Sequence, residues 1–205
     1  IDEFNTGTGD YLGVVDYKSS EHEFKFGEAY YGLAMQMLTY LNAVEQNLDK
    51  LDNHQRSELA GALYMHIFDP KLNFDHVAGK DLDQERMKVH HYKGILLNEP
   101  DLLDSLDQQL DDRTGFSAIY PFRKIKKGFS GDSLVTRDQL ELLLKRNRER
   151  IVSAAKDIFA GAVALNPVKM PDQSTSLQNS PFLDVFQFDA MLPENNYRQL
   201  ESLSA

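Results

Sequence analysis

The chain of 205 residues contains no cysteine and no tryptophan. Without cysteine there are no disulfides and no thiolate-held metals or clusters. That suits a reducing compartment without requiring one. Long apolar runs are also missing, and none approaches the roughly 18 residues that a spanning helix needs. The opening Ile-Asp-Glu-Phe is neither basic nor followed by an apolar stretch, so no signal peptide is expected. Basic excess is lacking as well. Lys and Arg total 22 against 32 Asp and Glu, a net charge of −10. A free-standing nucleic-acid binder carries the opposite balance. A nuclease survives this test, because acidic metal ligands add negative charge and only a local basic channel is needed. A larger assembly can also supply the basic surface. Finally, no initiator Met opens the chain, and the turn-rich Asn5–Asp10 follows at once. The expectation is a fragment that begins in a hairpin whose first strand is almost wholly missing.

With 41% hydrophobic and 26% charged residues, the chain suits an ordinary globular core, one good one or two small ones. Tyr11–Lys18 is a short apolar run and reads as a strand. Gly13 within it allows a bulge or a close backbone approach. After a charged loop at Ser19–Gly27, apolar residues recur at Tyr30, Leu33, Ala34, Met37, Leu38, Leu41 and Val44, which predicts a helix from about Glu28 to Leu48. Ala60–Phe68, closed by Asp69-Pro70, reads as a second strand, with Lys71–Asp83 as loop and Glu85–Leu97 as a further strand. Asn98-Glu99-Pro100 opens a helix that continues over Asp101–Leu110. Asp111–Asp132 looks irregular. Thr136-Arg137-Asp138-Gln139 matches a capping box and starts the longest helix, Arg137–Phe159, which Gly161 terminates. Its Lys145, Arg146, Arg148 and Arg150 read as a solvated face. Val168–Pro181 has no periodicity, and Phe182–Asp189 forms a compact apolar patch. This order of strands and helices is α/β or α+β.

Chemistry concentrates in the first fifth of the chain. Alternation puts Asp16 and Lys18 on one strand face and Tyr17 on the other. Gln36 and Tyr40, four apart, share a flank of the following helix. Phosphodiester hydrolysis needs an activated water and relief of phosphate charge, and a divalent metal supplies both. Mg²⁺ takes one or two carboxylates beside waters and phosphate. Asp16 and the Tyr17 carbonyl can ligate it, Lys18 can hold the attacking water or the developing charge, and Gln36 and Tyr40 can orient them. Alone, an Asp-x-Lys is usually a solvated strand end. Adjacent His90 and His91 would face opposite ways on a strand, so surface or half-buried roles suit them better than a metal pair, and His66 is read as structural. Arg123, Lys124, Lys126 and Lys127, interleaved with Phe122 and Phe129, suit either single-stranded DNA or a plain charged loop.

Val-Val-Asp-Tyr-Lys-Ser-Ser, followed by Tyr-Tyr-Gly-Leu-Ala-Met-Gln-Met-Leu-Thr-Tyr, resembles the RecB-like branch of the PD-(D/E)xK nucleases. More narrowly, it resembles the C-terminal nuclease domain of the B subunit of AddAB/RexAB helicase–nucleases. Ala-Gly-Ala-Leu-Tyr-Met-His-Ile-Phe-Asp-Pro, Tyr-Lys-Gly-Ile-Leu-Leu and Phe-Gln-Phe-Asp-Ala-Met-Leu-Pro-Glu-Asn-Asn-Tyr-Arg-Gln-Leu carry the likeness over nearly the whole chain. The resemblance implies a restriction-endonuclease-like α/β core, a mixed sheet flanked by helices, truncated on its N-terminal side and with a helical C-terminal extension. The core would span residues 1–165, and a tail over 166–205 would pack back on it. The resemblance gives Asp16 and Lys18 the family's second acidic and lysine positions, and Gln36 and Tyr40 its Gln-x-x-x-Tyr motif. The family's first metal-binding Asp belongs to a pattern like Gly-Arg-Ile-Asp-Arg-Ile-Asp. Asp2 fits either Asp of that pattern and better the second, which would put the first ligand upstream. The implied activity is a Mg²⁺-dependent deoxyribonuclease, with Mn²⁺ as a substitute, cutting single-stranded DNA from an unwound end during break repair. The implied partner is the A subunit, in a bacterial, nucleoid-associated cytoplasmic setting with no membrane. The alternative is a silent scaffold of the same fold that binds DNA or the A subunit. Many relatives hold an iron–sulfur cluster; here Leu177, Ser180 and Phe186 stand where cysteines would, so no cluster is expected. Phe182, Leu183, Val185, Phe186 and Phe188 would replace it as a hydrophobic clasp, as in the RexB form.

Overall fold

The computed structural model describes residues 1–6, 9–51, 57–67, 90–110, 114–193 and 195–201. A five-stranded mixed sheet is built, in spatial order, from β1 (Asp2–Asn5), β2 (Asp10–Lys18), β3 (Glu58–His66), β4 (Lys93–Leu97) and β8 (Leu134–Val135). β1 pairs with β2 and β3 with β4 antiparallel, while β2–β3 and β4–β8 are parallel. The hairpin expected around Asn5–Asp10 is present, with β1 pairing from Asp2 opposite Gly13 to Asn5 opposite Asp10. Gly13 sits where the β2–β3 register shifts, and a Cβ there would come within 2.9 Å of the Phe4 ring.

The expected single helix over Glu28–Leu48 is three pieces, α1 (Phe26–Tyr31), α2 (Gln36–Glu45) and α3 (Leu48–Leu51). The break has a local cause. Gly32 adopts a left-handed conformation (φ 82°), and the Gly32 and Leu33 amides donate back to Ala29 and Glu28. This is the glycine C-terminal motif that ends helices. The next helix, α4 (Pro100–Leu106), is shorter than expected and is followed by a 3₁₀ turn at Gln108–Leu110. The capping box forms as expected at the start of α5 (Arg137–Phe159): the Gln139 amide donates to Thr136 Oγ1, and the Thr136 amide donates to Gln139 Oε1. The Gly161 and Ala162 amides donate back to Ile158 and Asp157, closing the helix.

Two apolar clusters cover the two sheet faces. On one, Leu12, Val14, Ala62 and Ile95 meet Met37, Leu38 and Leu41 of α2 and Leu140 and Leu144 of α5. On the other, Leu63 and Leu96, with Val15 beside them, meet Leu103 of α4 and Phe122. Close packing of β3 on β4 depends on Gly94, at φ 144°, where a Cβ would lie 2.2 Å from the Ala62 carbonyl oxygen. Only the first half of α5 is buried; beyond Asn147 its Ile151, Val152, Ile158 and Phe159 are exposed. The basic run of α5 is not a plain solvated face. Arg148 pairs with Glu45, and Arg146 stacks 5.0 Å from the Tyr30 ring centroid.

Residues 114–132, expected to be irregular, contain a three-stranded sheet of β5 (Gly115–Phe116), β6 (Arg123–Ile125) and β7 (Gly128–Ser130). Strands of two or three residues are too short to display alternation. Of the strand expected over Glu85–Leu97, only β4 forms among the described residues, and His90–Tyr92 before it are turn and coil; residues 85–89 and the loop expected at Lys71–Asp83 lie outside the described residues. In the tail, β9 (Val168–Lys169) pairs parallel with β10 (Arg198–Gln199), and Val168, Leu177 and Leu200 are buried. The Glu201 amide donates to the Tyr31 hydroxyl of α1 at 3.3 Å. The expected clasp is not closed: Phe182, Leu183, Val185 and Phe186 are exposed. They lie on or beside α6 (Leu183–Phe186), a four-residue helix, too short to lay an apolar stripe, that ends at left-handed Gln187. Among the described residues, no helix is long and apolar enough to cross a membrane.

Candidate active site

Asp16 and Lys18 stand at the C-terminal end of β2, where β3 ends beside it with Lys18 opposite His66. Both point to the face covered by α2, because they share the parity of Leu12 and Val14. Lys18 Nζ lies 2.9 Å from Asp16 Oδ2, with each side chain about one-fifth exposed. The same ammonium donates to Gln36 Oε1 at 2.8 Å. Gln36 Nε2 in turn donates to the Tyr40 hydroxyl at 3.0 Å. Gln36 is the first residue of α2 and Tyr40 lies one turn on, so the flank expected for this pair is formed. All four side chains read from the sequence therefore form one connected chain, Asp16–Lys18–Gln36–Tyr40.

A fifth member was not read from the sequence. Tyr64 is the register partner of Asp16 across the parallel β2–β3 pair. Its ring centroid is 5.7 Å from Lys18 Nζ, within reach of a cation–π contact. Burial pushes its phenol above the ordinary value, and the Asp16 carboxylate adds to the rise. His22 lies against the same ring, with centroids 5.7 Å apart. The cleft beside Lys18 is lined further by Ser20, Glu21, His66, His91 and Lys93. Burial pulls Lys93 down, but hydrogen bonds to Glu21 and Glu23 outweigh it and raise the ammonium. Glu21 is held below the ordinary carboxylate value by its hydrogen bond with Lys93.

Tyr17 projects from the other face and is mostly exposed, as alternation requires; only its backbone carbonyl belongs with Asp16. Asp2 is not brought to the site. It pairs with Gly13, and each step along β2 moves one step back along β1. Asp16, three residues past Gly13, therefore lies beyond the described β1–β2 pairing. The odd step count also puts Asp2 on the opposite face, where its charge raises Tyr92 and Tyr120 after burial and a neighbouring tyrosine have done so. The histidines lie near backbone carbonyls. His66 Nε2 is 3.3 Å from the Ser19 oxygen, His90 Nδ1 is 3.0 Å from that of His66, and His91 Nδ1 is 2.9 Å from that of Tyr92. Among the described residues, no three His, Asp or Glu side chains gather as a ready metal cage.

A divalent cation nevertheless suits this donor set. Asp16 Oδ2 is buried and has no aligned hydrogen-bond donor; the Lys18 ammonium is close as a charge but not directed at it. A hard carboxylate oxygen left in that state is what an oxygen-seeking cation uses, with waters completing the shell.

The basic residues Arg123, Lys124, Lys126 and Lys127 lie on β6 and the turn that leads into β7. Lys124 pairs with Asp104. Phe122 is buried and stacks on Tyr120, so it belongs to the core rather than to any ligand.

The family model for the PD-(D/E)XK nuclease superfamily matches residues 1–169. The chain belongs to that superfamily. Among individual proteins, it is 51% identical over 211 residues to the B subunit of the ATP-dependent helicase/deoxyribonuclease of Lactiplantibacillus plantarum, a match covering 100% of this chain and 18% of that protein. The equivalent B subunits from Enterococcus faecalis and Lysinibacillus sphaericus are 40% and 34% identical, covering 100% and 98% of this chain and 17% and 18% of theirs. The chain thus spans under a fifth of the length of these relatives.

Proposed function

We propose that this chain is the nuclease domain of a helicase–nuclease, hydrolysing phosphodiesters of single-stranded DNA from an unwound end with Mg²⁺ or Mn²⁺. The observation that carries the reading is the contact chain Asp16–Lys18–Gln36–Tyr40 at one strand end of a superfamily member. A retired site has no reason to keep all four in register. Asp16 and the Tyr17 carbonyl would hold the cation, which when bound relieves phosphate charge and acidifies water. Lys18, fixed by Asp16 and Gln36, donates to a non-bridging oxygen as charge develops there. Gln36, backed by Tyr40, keeps that ammonium aimed and offers its own amide to the phosphate. The partner is the A subunit of the helicase–nuclease, and the setting is the bacterial cytoplasm.

The test is degradation of end-labelled single-stranded DNA by the complete protein in complex with its partner, with Mg²⁺ or Mn²⁺. Asp16→Ala and Lys18→Ala are each expected to lose about 100-fold or more while unwinding persists. Equal degradation by all three proteins would sink the assignment and leave a silent scaffold.

A further inference from the structure

A patch that the cleavage chemistry does not use lies beyond the far side of the cleft. Phe116 of β5 is 77% exposed, an unusual state for a large aromatic. The Arg123 guanidinium of β6 lies 5.5 Å from its ring centroid. Lys126 and Lys127 on the adjoining turn are exposed too, and neither they nor Arg123 form an ion pair among the described residues. In a chain of net charge −10 they form an exposed basic cluster, with Asp132 lining the same groove as Arg123. Phe116, Tyr120, Arg123 and Ser130 line a groove that also includes His91. His91 is at the same time a wall of the cleft holding Lys18, Tyr64 and Lys93. Groove and cleft therefore adjoin.

The chemistry selects the occupant. A flat aromatic face beside a planar cation accepts a stacked base, and neighbouring exposed cations accept phosphates. A duplex keeps its bases stacked on one another and offers no face to Phe116. We propose that the Phe116–Arg123 groove, continued past His91 to Lys18, is a subsite for single-stranded nucleic acid, with bases on Phe116 and phosphates on Arg123, Lys126 and Lys127. The identity of the strand as substrate rests on the nuclease reading; the binding does not.

The whole protein in complex with its partner is assayed for cleavage of a labelled single strand as wild type, Phe116→Ala, Arg123→Ala and Asp16→Ala. Phe116→Ala and Arg123→Ala are expected to raise KM about 5-fold or more, with the loss in KM rather than kcat. Arg123→Ala also lowers the slope of log KM against log salt by about 0.7, the share of one phosphate contact on a single strand. Because Phe116 is exposed, its truncation leaves the core intact, which an unchanged melting temperature verifies. Unaltered KM in both variants overturns the proposal. So does failure of either variant to assemble with the partner, which would make the patch a protein interface. If Asp16→Ala cleaves like wild type, the nuclease reading fails instead. Photo-crosslinking of a 5-iodouridine strand then decides the subsite alone: attachment at Phe116 upholds it, and none there overturns it.

Discussion

Replacing Tyr64 by leucine isolates how the Lys18 ammonium is held. The ring centroid lies 5.7 Å from Nζ, near the outer limit of a useful cation–π contact. Such contacts are worth about 0.5–1 kcal/mol when exposed and about 2 when dry. Lys18 is about one-fifth exposed, so the contact falls between these limits, at about 1 kcal/mol. Its loss frees the ammonium to leave its aim between Asp16 and Gln36, and about 1 kcal/mol in the barrier is roughly 5-fold in rate. Leucine keeps most of the apolar packing on the β2–α2 core, which the half-buried ring shares. Tyr64→Phe keeps the ring and removes only the hydroxyl. In single-strand cleavage at saturating strand and Mg²⁺, kcat should fall about 5-fold for Tyr64→Leu and stay within about 2-fold for Tyr64→Phe. Combined with Lys18→Ala, Tyr64→Leu should have no further effect, because the contact it removes is already gone. Equal losses in the leucine and phenylalanine variants would transfer the role to the hydroxyl. Wild-type speed in Tyr64→Leu would show that the ring does not hold Lys18 at all.

Asn147→Ala should lower stability by about 2–3 kcal/mol, read as a drop in the urea midpoint with unchanged m-value. It removes the donor bonds from the wholly buried Nδ2 to Asn42 Oδ1 (3.0 Å) and Thr39 Oγ1 (3.2 Å) and strands the Asn42 oxygen between α2 and α5. Glu21→Gln should cut the melting temperature at neutral pH but not in acid. The Glu21 carboxyl is held below 4.5 by Lys93, so its contribution is complete above pH 4.5 and disappears as pH falls through the lower folded value. The melting-temperature gap between wild type and variant should close over that acid range, and a gap that persists there would show that the ion pair is not its source.

How much was legible follows from how local each feature is. The β2 strand, the Gln36–Tyr40 flank and the Thr136–Gln139 capping box depend on residues within a few positions of one another, and the sequence displays them. The break at Gly32 is equally local, yet apolar spacing runs through it from Tyr30 to Met37, and the periodicity masks the glycine. Tyr64 was invisible for the opposite reason. Its place beside Asp16 depends on parallel pairing between strands 48 positions apart, which no local pattern encodes. Asp2 was misleading because its residue type fits a metal site, while its face depends on counting register through the hairpin. Phe116 sits on a strand of two residues, where alternation cannot be seen.

The break at Gly32 also explains why the site holds together. Met37, Leu38, Leu41 and Val44 must all be buried on the sheet, and that fixes the rotation of α2 about its own axis. With that rotation set, Gln36 and Tyr40 are left on the flank at the open edge, one turn apart. A helix continuous from α1 would have to satisfy the packing of Ala29 on the same axis, and the two demands need not agree. The left-handed glycine uncouples them, so that α2 takes its own seat with Gln36 as its first residue. Parallel β2 and β3 end together at that level, which is where open α/β sheets leave a crevice for ligands. Asp16 and Lys18 are the last inward-facing residues of β2 and so reach the crevice without leaving the strand. What remains is to stop α2 from sliding along its groove, and Asn42 and Asn147 supply that stop between α2 and α5. On the proposed nuclease reading, cleavage would depend on a buried amide pair that lies outside the contact chain from Asp16 to Tyr40. An Asn147 variant should lose cleavage in proportion to the mobility it gives Gln36, beyond what its fraction unfolded accounts for.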